Sequence, residues 1–262
     1  MSAPVRHWPE YLMEVAGLGA FMVSAAMMTT VLEHPASPIR TLITDATARR
    51  LLMGLAMGLT SAALVYSPWG RRSGAHLNPA VTLTFLRLGK ISRHDAFWYA
   101  CAQFAGGVLG IAAAAVILRQ WISDPAVNYV ATLPGTPGPI VAFVAEAGIS
   151  FLLMTAILAV SNHPRIARLT GAIAACLVAS FITFEAPLSG MSMNPARTLG
   201  PDVVGSLWQG LWIYFSAPPL GMLAAAEVYV RMRGRHSIRC AKLHHDNGPC
   251  IFGCASVGSV RV

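Results

Sequence analysis

Apolar residues form six long stretches along the chain, and the segments between them hold most of the charges. Each stretch approaches the roughly 20 residues that a helix needs to cross the hydrocarbon core of a bilayer. The pattern therefore predicts six transmembrane helices, at approximately 10–32, 50–69, 94–118, 139–160, 168–187 and 207–230.

A nearly identical phrase occurs twice outside these stretches, as HLNPAVTL and as SMNPARTL. Its core is Asn78, Pro79 and Ala80 in the first copy, and Asn194, Pro195 and Ala196 in the second, at a constant offset of 116 residues. Asparagine is a favoured N-cap, and proline is well tolerated at the first helical position. Each phrase therefore predicts the start of a helix.

The helices that follow the two phrases are too short to cross a bilayer. They are expected to end near Gly89 and Gly205, after some ten residues. Ten helical residues rise ~15 Å, which is half of a ~30 Å core. Three predicted crossings separate the two half-helices, so they enter from opposite faces. The predicted fold is an all-α membrane protein with six transmembrane helices plus two re-entrant half-helices, in an inverted repeat of about 10–119 and 139–231.

Composition agrees with a membrane protein and limits the classes of function. The chain is 55% hydrophobic and 11% charged, whereas soluble proteins are about 25% charged. Its formal net charge of +8 would suit nucleic acid, but so little polar surface is available that we expect no such partner. We predict one membrane domain over residues 1–232 and a basic tail with Cys and His over residues 233–262.

Lysine and arginine predict the orientation of the chain. With the N-terminus inside, 14 of the 19 basic residues fall on the cytoplasmic side. The other side holds Arg40, Arg49, Arg50, Arg119 and Arg197. This bias favours both termini in the cytoplasm, and we expect a multi-pass protein of the cell inner (plasma) membrane.

The segments SGAHLNPAVT and MNPARTLGP, together with Glu14 and Glu146 in the expected places, closely resemble the aquaporin, or major intrinsic protein, family. The resemblance covers roughly residues 10 to 232. It implies an aquaporin-like passive channel for water and small uncharged solutes such as glycerol, urea or ammonia, which excludes ions and protons. It also implies a homotetramer in a lipid bilayer, with both motifs lining a pore.

The same resemblance implies a narrow constriction that contains Arg197. Matching outward from the motifs adds Met57, Ile182 and Met191, although Gly58 competes with Met57. Arg197 has an alternative role as an anchor to loop carbonyls or to an acid. For Glu14 and Glu146 we prefer a structural role, in which each carboxylate accepts hydrogen bonds from a half-helix loop, to a role in proton relay.

Two other classes of function remain as alternatives to a channel. Inverted repeats and broken helices also suit an alternating-access transporter of a small solute. A membrane enzyme would have to use the tail, but nothing aligns the tail with a substrate pocket. We assign no catalytic residue, no metal ligand and no cofactor.

The tail carries Cys240, His244, His245, Cys250 and Cys254. Their spacing leaves three interpretations open: a tetrahedral zinc site, a redox-sensitive cluster, and an unstructured basic tail, which we favour. A structural disulfide is not expected in the cytosol.

Overall fold

The computed structural model describes residues 7–244, 250–252 and 254. This described part is helical with connecting turns and contains no β-strand. Its α-helices are α1 (Trp8–Glu33), α2 (Pro38–Leu42), α3 (Ala46–Tyr66), α4 (Pro68–Ser73), α5 (Pro79–Arg87), α6 (Arg93–Leu118), α7 (Pro139–Ser161), α8 (Thr170–Phe184), α9 (Ala186–Ser189), α10 (Pro195–Gly205) and α11 (Leu211–Arg233). Short 3-10 turns occur at Arg119–Trp121, Asn128–Val130, Ala167–Leu169 and Arg235–Ser237.

The six long helices, α1, α3, α6, α7, α8 and α11, are the transmembrane helices. The predicted spans differ from them by at most four residues at each end. The second was predicted to start at residue 50 and the sixth at residue 207, whereas α3 starts at Ala46 and α11 at Leu211. The second was expected to reach residue 69, but α3 ends at Tyr66 because Ser67 caps a new helix and accepts a hydrogen bond from the Gly70 N–H. The fifth was expected to reach residue 187, but α8 ends at Phe184 and the short α9 follows.

The chain builds the same arrangement twice. The order α1, α3, α5, α6 in the first half corresponds to α7, α8, α10, α11 in the second. Within the halves, α1 packs along α6 and α7 along α11, while α3 packs along α8 between the halves. The half-helix α10 packs against α6, and α5 against α11, so each half-helix contacts the other repeat.

A close backbone approach allows α10 to lie against α6. A Cβ atom at Gly107 would lie 2.2 Å from the Ala196 carbonyl oxygen, and one at Gly200 would lie 2.4 Å from the Gly107 carbonyl oxygen. Both distances are shorter than any tolerable contact. Glycine at these two positions therefore lets the second half-helix reach the centre of the bundle.

The side on which α1 begins and α11 ends is called the terminal face below, and the other side the opposite face. The segment after α11 folds back across the terminal face. The side chains of Ile238, Cys240, Ala241 and Leu243 are buried there. The preference for an unstructured tail is therefore wrong for this stretch, whose apolar residues find a surface to cover. His245 lies outside the described residues.

Candidate functional site

The two half-helices begin at asparagine caps that face each other. The Asn78 side-chain oxygen accepts a hydrogen bond from the Ala80 N–H at 2.8 Å. The Asn194 oxygen accepts from the N–H groups of Ala196 and Arg197 at 3.0 and 3.3 Å. Each cap satisfies N–H groups that have no partner inside their own helix.

The amide groups of the same two asparagines join the tips of the half-helices. The Asn78 Nδ2 donates to the Met193 carbonyl oxygen at 2.7 Å, and the Asn194 Nδ2 donates to the Leu77 carbonyl oxygen at 2.8 Å. These two bonds are reciprocal across the two repeats. They hold the N-terminal ends of α5 and α10 together, although 116 residues separate the two asparagines.

The loops that lead into the half-helices share an unusual backbone. Ala75 and Leu77 have φ angles of 53° and 48°, and Met191 and Met193 both have 53°. These are left-handed values, which cost a non-glycine residue roughly 1–2 kcal/mol. The surrounding contacts must hold both loops in this conformation.

Two buried carboxylates provide those contacts. Glu14 accepts from the N–H groups of His76 and Leu77 at 3.2 and 2.6 Å, and from the hydroxyl of Ser73 and the amide of Gln103, each at 2.8 Å. The carboxylate therefore accepts from four donors, two of which are N–H groups of the first loop.

Glu146 binds the second loop in the same way. It accepts from the N–H groups of Ser192 and Met193 at 2.6 and 2.7 Å, and from the Ser189 hydroxyl at 2.8 Å. Both carboxylates are fully buried, and a buried charge is tolerated when donors surround it in this manner.

One cavity of about 410 Å³ runs beside the joined tips. Asn78 and Asn194 both line it. It extends to Glu33, Arg50 and Asn128 on the opposite face, and to Val65, Gly171 and Leu243 on the terminal face. The non-helical loops thus lie beside a cavity, where irregular backbone is tolerated at membrane depth.

Arg197 lines this cavity on the opposite-face side of the asparagines. Its Nη1 donates to the Val130 carbonyl oxygen at 3.0 Å and to the Thr132 hydroxyl. The carboxylate oxygens of Asp202 have no hydrogen-bond partner within the described residues, so the alternative of an acid anchor is not observed. The loop-carbonyl anchor is present, and the guanidinium still borders the cavity.

The other three predicted constriction residues, Met57, Ile182 and Met191, also line the cavity. Gly58 instead faces α8, where a Cβ atom would lie 2.8 Å from the Ala175 carbonyl oxygen. Successive helical residues point about 100° apart, and the structure turns Met57 rather than Gly58 to the cavity.

Two residues of the site received no role from the sequence. Gln103 binds Glu14 and also the Thr82 hydroxyl, at 3.0 Å. The His76 Nδ1 lies 3.0 Å from the Thr82 hydroxyl oxygen, and its Nε2 lies 2.9 Å from the Ala241 carbonyl oxygen. A carbonyl only accepts, so the proton is on Nε2. A polar residue inside a predicted span was the available signal for Gln103.

Glu185 lies between α8 and α9 near the opposite face and is buried. Burial raises the pKa of its carboxyl to about 7. The negative charge of Glu146 also raises this pKa. An acid inside the predicted fifth span was the available signal for Glu185.

Six transmembrane helices and two half-helices that meet beside one cavity define an integral membrane protein of inverted-repeat architecture. The model of the major intrinsic protein family matches residues 5–229. The chain belongs to the major intrinsic protein family.

Curated relatives in plants agree. The putative aquaporin NIP4-1 of Arabidopsis thaliana is 37% identical over 177 residues, which are 67% of this chain and 60% of that protein. Aquaporin NIP2-3 of Zea mays is 33% identical over 228 residues, 86% of this chain and 73% of that protein. The chain therefore spans 60% of the length of the first of these relatives and 73% of the second.

The fold also matches a solved structure. The aquaglyceroporin from Plasmodium falciparum superposes with a TM-score of 0.69 at 21% sequence identity, over 86% of this chain and 96% of that one. At this identity the likeness supports the fold.

Proposed function

We propose that the chain is a passive channel for water and small uncharged solutes that excludes ions and protons, and that it catalyses no reaction. The observation that carries this proposal is the pair of reciprocal hydrogen bonds between Asn78 and Met193 and between Asn194 and Leu77. They fix two half-helix tips beside a single cavity that both asparagines line.

Exclusion of cations follows from the direction of the half-helices. The N-terminus of each helix carries about half a positive charge, and two such ends meet at the asparagines. The positive potential disfavours cations, including hydronium. Each asparagine amide has two N–H groups, of which one binds the opposite carbonyl. The second can donate to a passing oxygen and thereby interrupt a proton relay along single-file water.

Selectivity among neutral solutes is assigned to Arg197, Met191, Ile182 and Met57. The guanidinium offers donors and repels cations, while the three other side chains are apolar. A wall with one polar side suits water and small solutes that have both a polar and an apolar surface. We therefore include glycerol, urea and ammonia among the candidate permeants.

The joined tips favour a channel over an alternating-access transporter. Rocking of one repeat against the other would break both asparagine bonds at the midplane. Glu14 and Glu146 accept hydrogen bonds from loop donors, so these two carboxylates are not available to a coupling ion.

We further propose that the terminal face is cytoplasmic, as the excess of Lys and Arg on that side supports, and that the protein is a homotetramer of the plasma membrane. Exposed large apolar side chains on the long helices, such as Leu59, Leu109 and Val116, suit contact with lipid or with another subunit. Chemical cross-linking in membranes measures the oligomer, and labelling of cysteines introduced at either face measures the orientation.

Stopped-flow light scattering on proteoliposomes tests the channel directly. Water, glycerol, urea and ammonia gradients are compared in parallel, and a channel gives fast, non-saturating flux with a low activation energy. Ala174 lines the cavity and Cys176, on the same helix, is exposed. Ala174→Trp should abolish most of the water flux, while Cys176→Trp should leave it unchanged. Saturation, ion coupling or equal flux in both variants would refute the proposal.

A further inference from the structure

The segment after α11 is held against the terminal-face end of the cavity. The Arg239 N–H donates to Asn162 Oδ1 at 2.7 Å, and the Leu243 N–H donates to the Gly74 carbonyl oxygen at 3.1 Å. The Ala241 carbonyl oxygen accepts from His76. Leu243 itself lines the cavity. The segment therefore binds the loop that leads into the first half-helix.

A second piece of the tail covers the same loop. The ring of Phe252 is stacked on the His76 ring, with centroids 5.4 Å apart and planes at 7°. It also contacts Tyr99 edge to face at 6.0 Å. Residues 240–243 and residue 252 thus converge on one imidazole, and something must hold these two pieces of chain together.

Three cysteines lie where the two pieces meet. The sulfur atoms of Cys240, Cys250 and Cys254 all lie within 4.8 Å of one another. Cys240 and Cys254 are joined as a disulfide. The Cys250 Sγ lies 3.0 Å from the Cys254 Sγ and 3.4 Å from the Cys240 Sγ. The expectation that the tail holds no disulfide therefore fails in this structure. The disulfide, however, joins only two of the three sulfurs.

The three sulfur atoms lie close enough to reach the spacing of a thiolate metal site once the disulfide is opened. A tetrahedral zinc ion with Zn–S bonds of about 2.3 Å separates its sulfur ligands by about 3.8 Å. Three thiolates and one water complete such a site, and thiolates select soft cations of this class. The proposed orientation puts the cluster in the cytosol, where disulfides rarely persist.

We propose that Cys240, Cys250 and Cys254 form a three-thiolate site for a zinc-class cation, which fastens the tail over the terminal-face mouth of the cavity. Two equivalents of a low-molecular-weight thiol first reduce the Cys240–Cys254 disulfide and are themselves oxidised to a disulfide. The cation then displaces three thiol protons and forms three metal–sulfur bonds. Reoxidation of the cluster to the disulfide excludes the ion.

The effect on the mouth rests on the proposed channel function. A bound ion holds Leu243 and Phe252 against the first loop, at the end of the cavity where solutes would enter or leave. The metal-loaded form should therefore conduct water more slowly than the reduced, metal-free form.

Metal binding is tested on the full chain in detergent, without any transport assay. Reduced protein is titrated with Cd²⁺, whose thiolate charge-transfer absorption reports sulfur ligands, and with Zn²⁺ in competition with a chromophoric chelator. One ion per chain with release of three protons is expected. Cys240→Ser, Cys250→Ser and Cys254→Ser should each weaken binding about 10-fold or more.

The controls use the other two cysteines and the redox state. Cys101→Ser and Cys176→Ser, at exposed positions in long helices, should bind as the wild type does. Oxidised wild type should not bind, and a reductant should restore binding in the same polypeptide, which removes misfolding as an explanation. Absence of binding by reduced wild type, or equal binding by all five variants, would overturn the site.

The water permeability of the reconstituted protein separately tests the effect of metal binding on the cavity mouth. Proteoliposomes made from reduced protein, either loaded with Zn²⁺ or stripped with a chelator, are compared with Cys250→Ser. Slower water flux is expected in the loaded wild type alone. Metal binding without any change in water flux would refute the proposed effect on the cavity mouth, but not the metal site. Absence of flux in every sample would instead count against the channel, while the titration still decides the site.

Discussion

The two half-helix loops have nearly the same backbone but different surroundings. Each has two left-handed residues and a buried glutamate that accepts two loop N–H groups and a serine hydroxyl. A tyrosine hydroxyl also binds each serine carbonyl at 2.6 Å, from Tyr99 in the first repeat and from Tyr214 in the second. The comparison separates the scaffold that both loops require from the residues that distinguish them.

The differences are concentrated in three pairs of equivalent positions. Gln103 supports Glu14, whereas Pro218 occupies the corresponding place near Glu146. The other two pairs are His76 and Ser192, and Val81 and Arg197. The first repeat therefore presents neutral groups to the cavity and to the tail, and the second presents a cation. A shared scaffold can thus give the two ends of one cavity different chemistry.

The largest expected effect is on the stability of the loops. In either Gln variant, an amide N–H₂ replaces one oxygen and faces a backbone N–H donor; among the groups bound to Glu146, the Ser189 hydroxyl alone can reorient. In Glu14→Gln, the Gln103 amide can rotate and present its oxygen. We expect the free energy of unfolding to fall by roughly 2 kcal/mol or more in Glu146→Gln, and by less in Glu14→Gln. Thermal unfolding in detergent, followed by tryptophan fluorescence, measures both. A larger loss in Glu14→Gln would contradict the assigned role of Gln103.

The second effect concerns selectivity at Arg197 and its counterpart Val81. Arg197→Ala removes donors, charge and bulk from the cavity wall, so the ratio of glycerol to water permeability should rise about 10-fold, equivalent to roughly 1.4 kcal/mol of barrier. Val81→Ala removes bulk alone from the equivalent place and should change the ratio far less. Stopped-flow light scattering measures both variants. Equal ratios in wild type and Arg197→Ala would leave Arg197 as a loop anchor only.

A smaller effect is expected from the additional donor in the first loop. Gln103→Met keeps the side-chain volume but removes the hydrogen bond to Glu14, which should cost about 1–2 kcal/mol because the acceptor is charged. The double variant with Glu14→Gln should lose less than the sum of the single losses, since the two residues act as one unit. Additive losses in the same unfolding assay would show that Gln103 acts elsewhere.

The last expected effect is the pH dependence of stability at Glu185. Its pKa is raised from an ordinary 4.5 to about 7, so the folded state binds this proton more tightly than the unfolded state does. Stability from this group is therefore greatest below pH 4.5 and falls until about pH 7. The stability of Glu185→Gln minus that of the wild type should therefore be larger at pH 8 than at pH 5. An identical difference at both values would contradict the shifted pKa.

The fold was predictable because its signals are local. The apolar stretches mark the six long helices, and Asn78-Pro79 and Asn194-Pro195 mark the two half-helices, because capping and proline chemistry act within a few residues. The ends of α3 and α8 were placed too late, since the short helices at Pro68 and Ala186 interrupt stretches that remain apolar.

Contacts between distant segments were not predictable in the same way. Gln103 and His76 are recognisable as polar residues, but their partners lie on other elements. Met57 rather than Gly58 faces the cavity, because of a helix rotation that sequence matching does not determine. The tail lacks any helical or strand periodicity, and its place over the first loop depends on apolar residues that fit a surface built from other helices.

The two half-helix tips exchange amide and carbonyl partners, so dividing the chain between its repeats separates donors from their acceptors. A fragment that stops before α7 contains Asn78 but not the Met193 carbonyl that receives its amide. One half alone therefore leaves a buried donor without an acceptor, and completes its centre only by associating with a second half in the opposite direction.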